Sequence, residues 1–193
     1  LIEEEMIYAI GDIHGQLKQL DRALSLIETD GGSNAEIVFL GDYTDRGLES
    51  RGVIERLLEG RNNSKPWHFL KGNHDRMFSW YLQSQPIHDP HLFHGLHWLH
   101  PRMGGATTLL SYGITLDDTR RSGEIHTEAR KKIPETHLNF LNSLDLMYRT
   151  SDLAFVHAGI RPGVPLESQE ENDLLWIREG FIENTTDHGP LIV

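Results

Sequence analysis

Two stretches of sequence decide the fold, MIYAIGDIHG at residues 6–15 and IVFLGDYTDRG at residues 37–47. Each opens with a short apolar run that is typical of a buried β-strand, and each run ends at a Gly-Asp pair. A third apolar run, WHFL at residues 67–70, is followed by a Lys-Gly pair. Apolar residues at helical spacing lie between these runs, in 17–27 and 53–58. Because strand and helix alternate, the first half of the chain is predicted to form a parallel sheet.

The second half of the chain has another order of elements. Helices are predicted around residues 106–112, 135–144 and 173–178. Two short strands, 146–150 and 153–156, flank a Ser-Asp pair that is typical of a hairpin turn. A last strand is expected at 191–193, and because the chain stops inside it, we expect the sequence to be cut at its C-terminus.

Composition limits the classes of protein to which this chain can belong. Its 193 residues, 38% hydrophobic and 24% charged, suffice for one soluble domain with a buried core. No apolar run reaches the ~18–20 residues of a membrane span, no secretion leader is recognisable, and cysteine is absent. These features predict a cytoplasmic protein without a membrane partner. The formal net charge of -11 predicts no nucleic-acid partner, because it would repel a polyanion.

A polar cluster follows each predicted strand of the first half at the point where the strand ends. Asp12 and His14 come after the first strand, and Asp42 comes after the second. Asn73 follows the third strand, and His157 follows a later one. Ligands of open α/β sheets bind at the carboxyl ends of the strands, so these side chains are expected to meet in one crevice. Carboxylate, imidazole and amide ligands suit Mn, Fe, Zn or Ni, and two such ions sharing a water would generate a nucleophile.

Three further residues complete a catalytic set. Arg46 lies four residues after Asp42, where its guanidinium is able to fork onto phosphate oxygens. His74 follows a predicted ligand directly and is placed to protonate a leaving alkoxide. Asp45 is expected to orient that imidazole and keep it protonated. Each motif alone has a plainer interpretation, such as a turn, a surface ion-pair loop or a core histidine, but their coincidence at four strand ends favours a catalytic site.

Together the motifs resemble the phosphoprotein phosphatase branch of the calcineurin-like metallophosphoesterases. They are GDIHG at 11–15, GDYTDRG at 41–47, GNHD at 72–75 and HAG at 157–159, and the resemblance extends from residue 7 to about residue 182. It implies an α/β fold of the α+β sandwich type, with two mixed β-sheets flanked by helices. We expect this fold to form one metallophosphoesterase domain over residues 1–193.

The resemblance also implies a role for each site residue. Two divalent ions would be held by five side chains that share one carboxylate: Asp12, His14 and Asp42 at the first ion, and Asp42, Asn73 and His157 at the second. Asp45 and His74 would form the acid pair, and the phosphate would be contacted by Asn73, which is also a metal ligand, and by two arginines, Arg46 and Arg178. The last of these arginines lies in LLWIREGFI at 174–182, a stretch similar to the bacterial members.

The sequence departs from the family pattern in two places. Many relatives have Glu where this chain has Asp75, and because Asp75 is not a predicted ligand, we expect little effect. The family also has a Gly-His-Thr-type motif near its end, whose histidine is a further ligand of the second metal. That motif does not occur before Val193, so the second site is one ligand short in this sequence.

The implied function is that of a metal-dependent phosphoprotein (Ser/Thr) phosphatase. A hydroxide bridging two ions, with manganese as the first choice and Fe, Zn or Ni as the others, would attack a phosphomonoester directly. The substrate would be a phosphorylated protein or a small phosphate ester. A symmetrical dinucleoside polyphosphate hydrolase, acting on diadenosine tetraphosphate, would use the same residues. A catalytically weak metal-binding module is the alternative from another class; the missing motif favours it, and the intact acid pair opposes it.

One feature lies outside these motifs. In the segment 84–104, histidines recur at every third position: His88, His91, His94, His97 and His100. A helix between Pro90 and Pro101 would place several of these imidazoles near one side. Two interpretations stay open, a polar histidine-rich lid or loop and an accessory metal site. As a lid, the segment would cap the crevice and help to select the leaving group.

Overall fold

A computed structural model describes residues 6–117, 119–185 and 187–193. Its strands are β1 (Ile7–Ile10), β2 (Glu36–Phe39), β3 (Trp67–Phe69), β4 (Met147–Arg149), β5 (Leu153–Val156) and β6 (Leu191–Ile192). Its helices are α1 (Leu17–Gly31), α2 (Ser50–Asn62), α3 (Asn73–Tyr81), α4 (Gly105–Ser111), α5 (Ser122–Lys132), α6 (Glu135–Asn142) and α7 (Glu171–Trp176). The predicted strands and helices outside the histidine-rich segment are confirmed, whereas α3 and α5 are elements that the apolar pattern does not predict.

The first three strands form a parallel sheet in the order β1-β2-β3, as the alternation of strand and helix predicts. Alternate residues of β2 face opposite sides of this sheet. Ile37 and Phe39 join a large core with the surrounding helices, which includes Ile54 of α2 and Phe78 of α3. Val38 instead faces the second sheet. The middle strand is therefore buried on both faces, which explains its uninterrupted apolar run.

The second sheet has the order β4-β5-β6 and is mixed, because β4 pairs antiparallel with β5 and β5 pairs parallel with β6. The two sheets contact each other through a buried cluster of Val38, Leu70 and Phe155. The ring of Tyr148 in β4 also stacks on the imidazole of His68 in β3, with ring centroids 3.7 Å apart. The predicted architecture of two sheets flanked by helices is confirmed; the second sheet is mixed as expected, and the first is parallel over its described strands. Within the described residues, no helix combines the length and apolar composition needed to cross a bilayer.

The histidine-rich segment runs as a series of turns, so the possible helix between Pro90 and Pro101 is wrong. Backbone N–H groups bond to carbonyl oxygens three residues earlier, and such turns close at Leu92, Leu96, His100 and Met103. The physical reason lies at Gly95, whose φ of 83° places it in the left-handed region that interrupts a right-handed helix.

Contacts with α3 and α7 anchor this segment. The buried Asp89 carboxylate accepts a hydrogen bond of 2.8 Å from Nη2 of Arg76 in α3. The His91 ring stacks on Trp176 of α7, with centroids 5.4 Å apart. Among the residues that the structure describes, the groups of three or more potential metal ligands lie at the strand ends, so an accessory metal site in this segment has no structural support.

The free energy of unfolding is expected to decrease as the pH falls from about 7.5 to about 5.5, in part through His137. The Nδ1 atom of this buried ring lies 2.8 Å from the Tyr112 hydroxyl oxygen, and burial lowers the pKa of His137 below its ordinary 6.5. Because the pKa of His137 is lower in the folded state than in the unfolded state, the unfolded chain binds the proton first as the pH falls. The free energy of unfolding is therefore unaffected above the unfolded-state pKa and decreases as the pH falls below it. Urea unfolding at several pH values should show a shallower pH dependence in His137→Asn. An equal slope in both proteins would contradict this role.

Candidate metal centre

The backbone at the strand ends is locally strained. His14, Asp42, Asp45 and Arg46 have positive φ angles of 44°, 55°, 73° and 63°. Ser64 is the one other described non-glycine residue with such an angle. Holding a non-glycine residue in this region costs roughly 1–3 kcal/mol, and residues of this kind cluster at functional sites. All four strand-end residues belong to the motifs from which the sequence predicts a site.

Asp42 lies at the centre of the predicted ligands and is 2% exposed. Its Oδ2 atom is 3.5 Å from Nε2 of His14, and its Oδ1 atom is 3.6 Å from Nε2 of His157. Asp12 approaches the same His14 nitrogen at 3.6 Å, and Oδ1 of Asn73 lies 3.0 Å from Nε2 of His157. The structure therefore brings together the five side chains that the sequence predicts as metal ligands.

Two overlapping groups of potential ligand atoms, each within a span of 4.8 Å, share the Asp42 carboxylate: His14, Asp42 and His74, and Asp12, Asp42 and His157. This grouping differs from the predicted division of ligands, because His74 stands close enough to take the place of Asp12. His14 and His74 differ in their hydrogen bonds. The Nδ1 atom of His14 donates to the carbonyl of Thr44 at 2.7 Å, and its Nε2 atom is buried without a hydrogen-bond partner.

An imidazole held in this way is suited to bind a cation. The Nδ1–H of a metal-bound histidine commonly donates to a carbonyl, which aims Nε2 at the ion. Burial lowers the pKa of His14 and favours the neutral ring that a metal requires. His157 is held in a similar way at Nδ1, which donates to the Leu40 carbonyl at 2.9 Å, while its Nε2 atom lies 3.0 Å from Oδ1 of Asn73. The donor set and the unpartnered His14 nitrogen therefore fit a divalent metal ion.

His74 is engaged at both ring nitrogens. Its Nδ1 atom donates to Oδ2 of Asp45 at 2.7 Å, and its Nε2 atom accepts from Nη2 of Arg46 at 3.2 Å. Burial disfavours the charged ring, but the hydrogen bond to Asp45 and the negative charges of Asp42 and Asp45 outweigh it and raise the pKa of His74. This geometry matches the predicted acid pair beside a guanidinium, rather than a metal ligand.

Asp75, which the sequence does not predict as a site residue, connects the loops around Asp42. Its buried carboxylate accepts three backbone hydrogen bonds, from Asp42 at 2.7 Å, Tyr43 at 3.0 Å and Gly72 at 2.9 Å. These bonds join the loop after β2 to the first turn of α3. The loops approach so closely that a Cβ atom on Gly72 would collide with the Asp42 carboxylate. An acidic residue three positions after a helix-capping residue is the sequence signal for such a contact.

Arg178 is not brought to the centre. It lies two residues after α7 ends, and its side chain is exposed. In the ranges that the structure describes, it forms no hydrogen bond or ion pair with the residues around Asp42. Its predicted contact with phosphate stays a prediction.

Comparison with known proteins agrees with the geometry. Residues 6–193 match the sequence model of the calcineurin-like phosphoesterases. A stretch of 89 residues is 33% identical to the asymmetrical bis(5'-nucleosyl)-tetraphosphatase PrpE of Oceanobacillus iheyensis, over 42% of this chain and 35% of that protein. A solved structure provisionally described as a diadenosine tetraphosphatase matches with a TM-score of 0.53 at 20% identity, over 90% of this chain and 60% of the other.

The chain spans less than two thirds of the length of either relative. The family match nevertheless covers both sheets and every strand end that carries a predicted ligand. The chain therefore belongs to the calcineurin-like phosphoesterase family.

Proposed function

We propose that this chain carries the catalytic centre of a metal-dependent phosphatase that hydrolyses phosphomonoesters of the phosphoserine and phosphothreonine type. One observation carries the proposal: an acid pair and a guanidinium stand directly beside a carboxylate that is shared by two groups of potential metal ligands. A metal-binding module needs neither a proton donor nor a phosphate clamp, so this arrangement favours catalysis over metal binding alone.

Metallophosphoesterases use divalent metals, and we propose that two ions bind here, with manganese the first choice among Mn, Fe, Zn and Ni. The residues that would hold them are Asp12, His14, Asp42, Asn73 and His157. When bound, such a pair supplies a nucleophile from water near neutral pH and neutralises charge on the phosphate.

The other side chains position the phosphate and move a proton. The Arg46 guanidinium and the His74 Nε2 atom meet at 3.2 Å, so both groups point at one place. A phosphate bound there would draw the guanidinium onto its oxygens. Nε2 of His74 would then be free to carry a proton to the leaving oxygen, while Asp45 accepts the hydrogen bond from Nδ1 of the same ring.

A dinucleoside polyphosphate hydrolase is the second candidate, because it would use the same side chains. The relative with 33% identity is named as an enzyme of that substrate class, of the asymmetrical type. Its name supports the second candidate, whereas the motifs alone do not distinguish the two. The two activities differ in the bond that is broken, a phosphate ester in the first and a phosphoanhydride in the second, and in the groups that must be bound around it.

Hydrolysis of p-nitrophenyl phosphate by this chain is expected to require a divalent ion. Chelation with EDTA should reduce the rate to background, and added Mn²⁺ should restore it, because the acid pair alone supplies no nucleophile. A phosphoserine peptide and diadenosine tetraphosphate, compared side by side at equal concentration, then distinguish the two candidates. Activity that survives complete removal of metal would refute the metal-dependent mechanism.

A further inference from the structure

The Asp45 carboxylate has more partners than the acid pair requires. It is fully buried, and its Oδ2 atom accepts hydrogen bonds from Nδ1 of His74 at 2.7 Å and from Nε1 of Trp98 at 2.8 Å. Its Oδ1 atom accepts a third bond, of 2.7 Å, from the hydroxyl of Thr108. Both oxygens are therefore tethered, and one of them is divided between the catalytic imidazole and an indole.

Trp98 is itself held tightly. Its ring is 6% exposed and stacks on Phe78 with centroids 5.2 Å apart, and it packs against Tyr81 at 4.7 Å. Both of these aromatic residues belong to α3, the helix that also carries His74 near its N-terminus. The indole N–H is thus fixed relative to the imidazole whose partner it shares.

The turns of the histidine-rich segment deliver Trp98 to this position. The same segment touches the site a second time at its end, where the Arg46 backbone N–H donates to the carbonyl of Gly104 at 3.4 Å. A Cβ atom at Gly104 would collide with the Arg46 backbone, so the approach is close.

Building on the proposed function, we propose that Trp98 is a positioning residue for the acid pair. The strained Asp45 backbone does not hold the carboxylate by itself; Trp98 and Thr108 anchor its two oxygens, so that Oδ2 meets His74 in one orientation. The second donor on Oδ2 also shares that oxygen's lone pairs and thereby sets the strength of the bond to His74. In this role Trp98 affects the reaction only through its hydrogen bond to Asp45.

The test compares two replacements of tryptophan by phenylalanine. Trp98→Phe keeps a ring against Phe78 and removes the N–H that reaches Asp45. Trp176→Phe is the matched control, because the Trp176 indole N–H is buried without a hydrogen-bond partner and its ring also packs against the histidine-rich segment. The control loses the same atoms and no hydrogen bond.

The first readout is the dependence of rate on the leaving group. p-Nitrophenolate is a weak base that departs without a proton, whereas phenolate, of conjugate-acid pKa about 10, needs one. Trp98→Phe should lose about tenfold in kcat on phenyl phosphate, the scale of one charge-assisted hydrogen bond, and much less on p-nitrophenyl phosphate. His74→Asn should also lose more kcat on phenyl phosphate than on p-nitrophenyl phosphate, and the difference should be larger than in Trp98→Phe. Trp176→Phe should lose kcat on neither ester. Equal losses on both esters, or no loss, would overturn the proposal.

The second readout does not depend on activity. The Nδ1 proton of His74, identified by its disappearance in His74→Asn, should shift in the proton NMR spectrum of Trp98→Phe and keep its position in Trp176→Phe. An unmoved resonance in Trp98→Phe would overturn the positioning role. Failure of the unaltered protein to hydrolyse either ester would refute the proposed function instead, and the resonance would still decide whether Trp98 positions the pair.

Discussion

Asp42→Asn is expected to reduce the hydrolysis rate by roughly a thousandfold while leaving the fold intact. Asparagine has nearly the same shape as aspartate and tolerates the left-handed backbone that Asp42 adopts with φ of 55°. Its carbonyl oxygen would still accept the 2.9 Å hydrogen bond from the backbone N–H of His74. The variant loses the negative charge and one lone-pair oxygen, at the one carboxylate that both groups of potential ligands share.

The measurement is kcat on p-nitrophenyl phosphate in Mn²⁺, together with Mn²⁺ binding by calorimetry. Asp21→Asn serves as the control, because the Asp21 side chain is 53% exposed and pairs with Arg56 on the surface. The Asp42→Asn variant should unfold at an unchanged or higher urea concentration in the absence of metal, since it relieves the repulsion between Asp42 and Asp75. A rate within tenfold of the unaltered protein would show that Asp42 is not a shared ligand.

Asp75→Ala is expected to lower the free energy of unfolding by about 4 kcal/mol and to reduce activity with it. The substitution leaves three backbone N–H groups without their acceptor, each at a cost of about 1–3 kcal/mol when buried. Burial and the charge of Asp42 raise the pKa of Asp75, so removal of a costly buried carboxylate offsets part of this loss.

Urea unfolding with Asp21→Ala as an exposed control measures this effect. The free energy of unfolding of Asp75→Asn should lie between those of Asp75→Ala and Asp21→Ala. Its amide oxygen is able to keep the bonds from the backbone N–H groups of Asp42 and Gly72, while its NH2 group faces the Tyr43 N–H. A loss below about 1 kcal/mol in Asp75→Ala would mean that water replaces the carboxylate and that the loops are not held by it.

The sequence predicts the first sheet and its strand ends well, because both depend on local pattern. A short apolar run that ends at Gly-Asp specifies a strand and the polar group that follows it, so Asp12, Asp42 and Asn73 are located without knowledge of the fold. His157 is harder, since it comes from the second sheet. Its recognition depends on a resemblance of motifs rather than on periodicity.

The contacts that organise the site are not visible in the sequence for a different reason. Trp98 lies 53 residues from Asp45, and Thr108 lies 63 residues from it. Trp98 belongs to no periodic pattern and is placed by the turns of an irregular segment. Thr108 lies in the predicted helix 106–112, but the helical pattern does not indicate which distant residue its hydroxyl contacts. The histidine spacing in that segment suggests a helix face, but Gly95 and the serial turns produce another backbone. Local pattern thus identifies the proposed ligands but not the side chains that hold the acid pair in place.

The five proposed metal ligands come from the strand ends of both sheets, so they are synthesised at different times during translation. During translation, the portion up to residue 150 already contains the first sheet with Asp12, His14 and Asp42, but the imidazole hydrogen-bonded to the Leu40 carbonyl follows a strand still inside the ribosome. The nascent polypeptide at that length therefore holds only part of the proposed cation site. On the proposed function, hydrolysis would begin only after the second sheet packs against the first and brings His157 to the other predicted ligands.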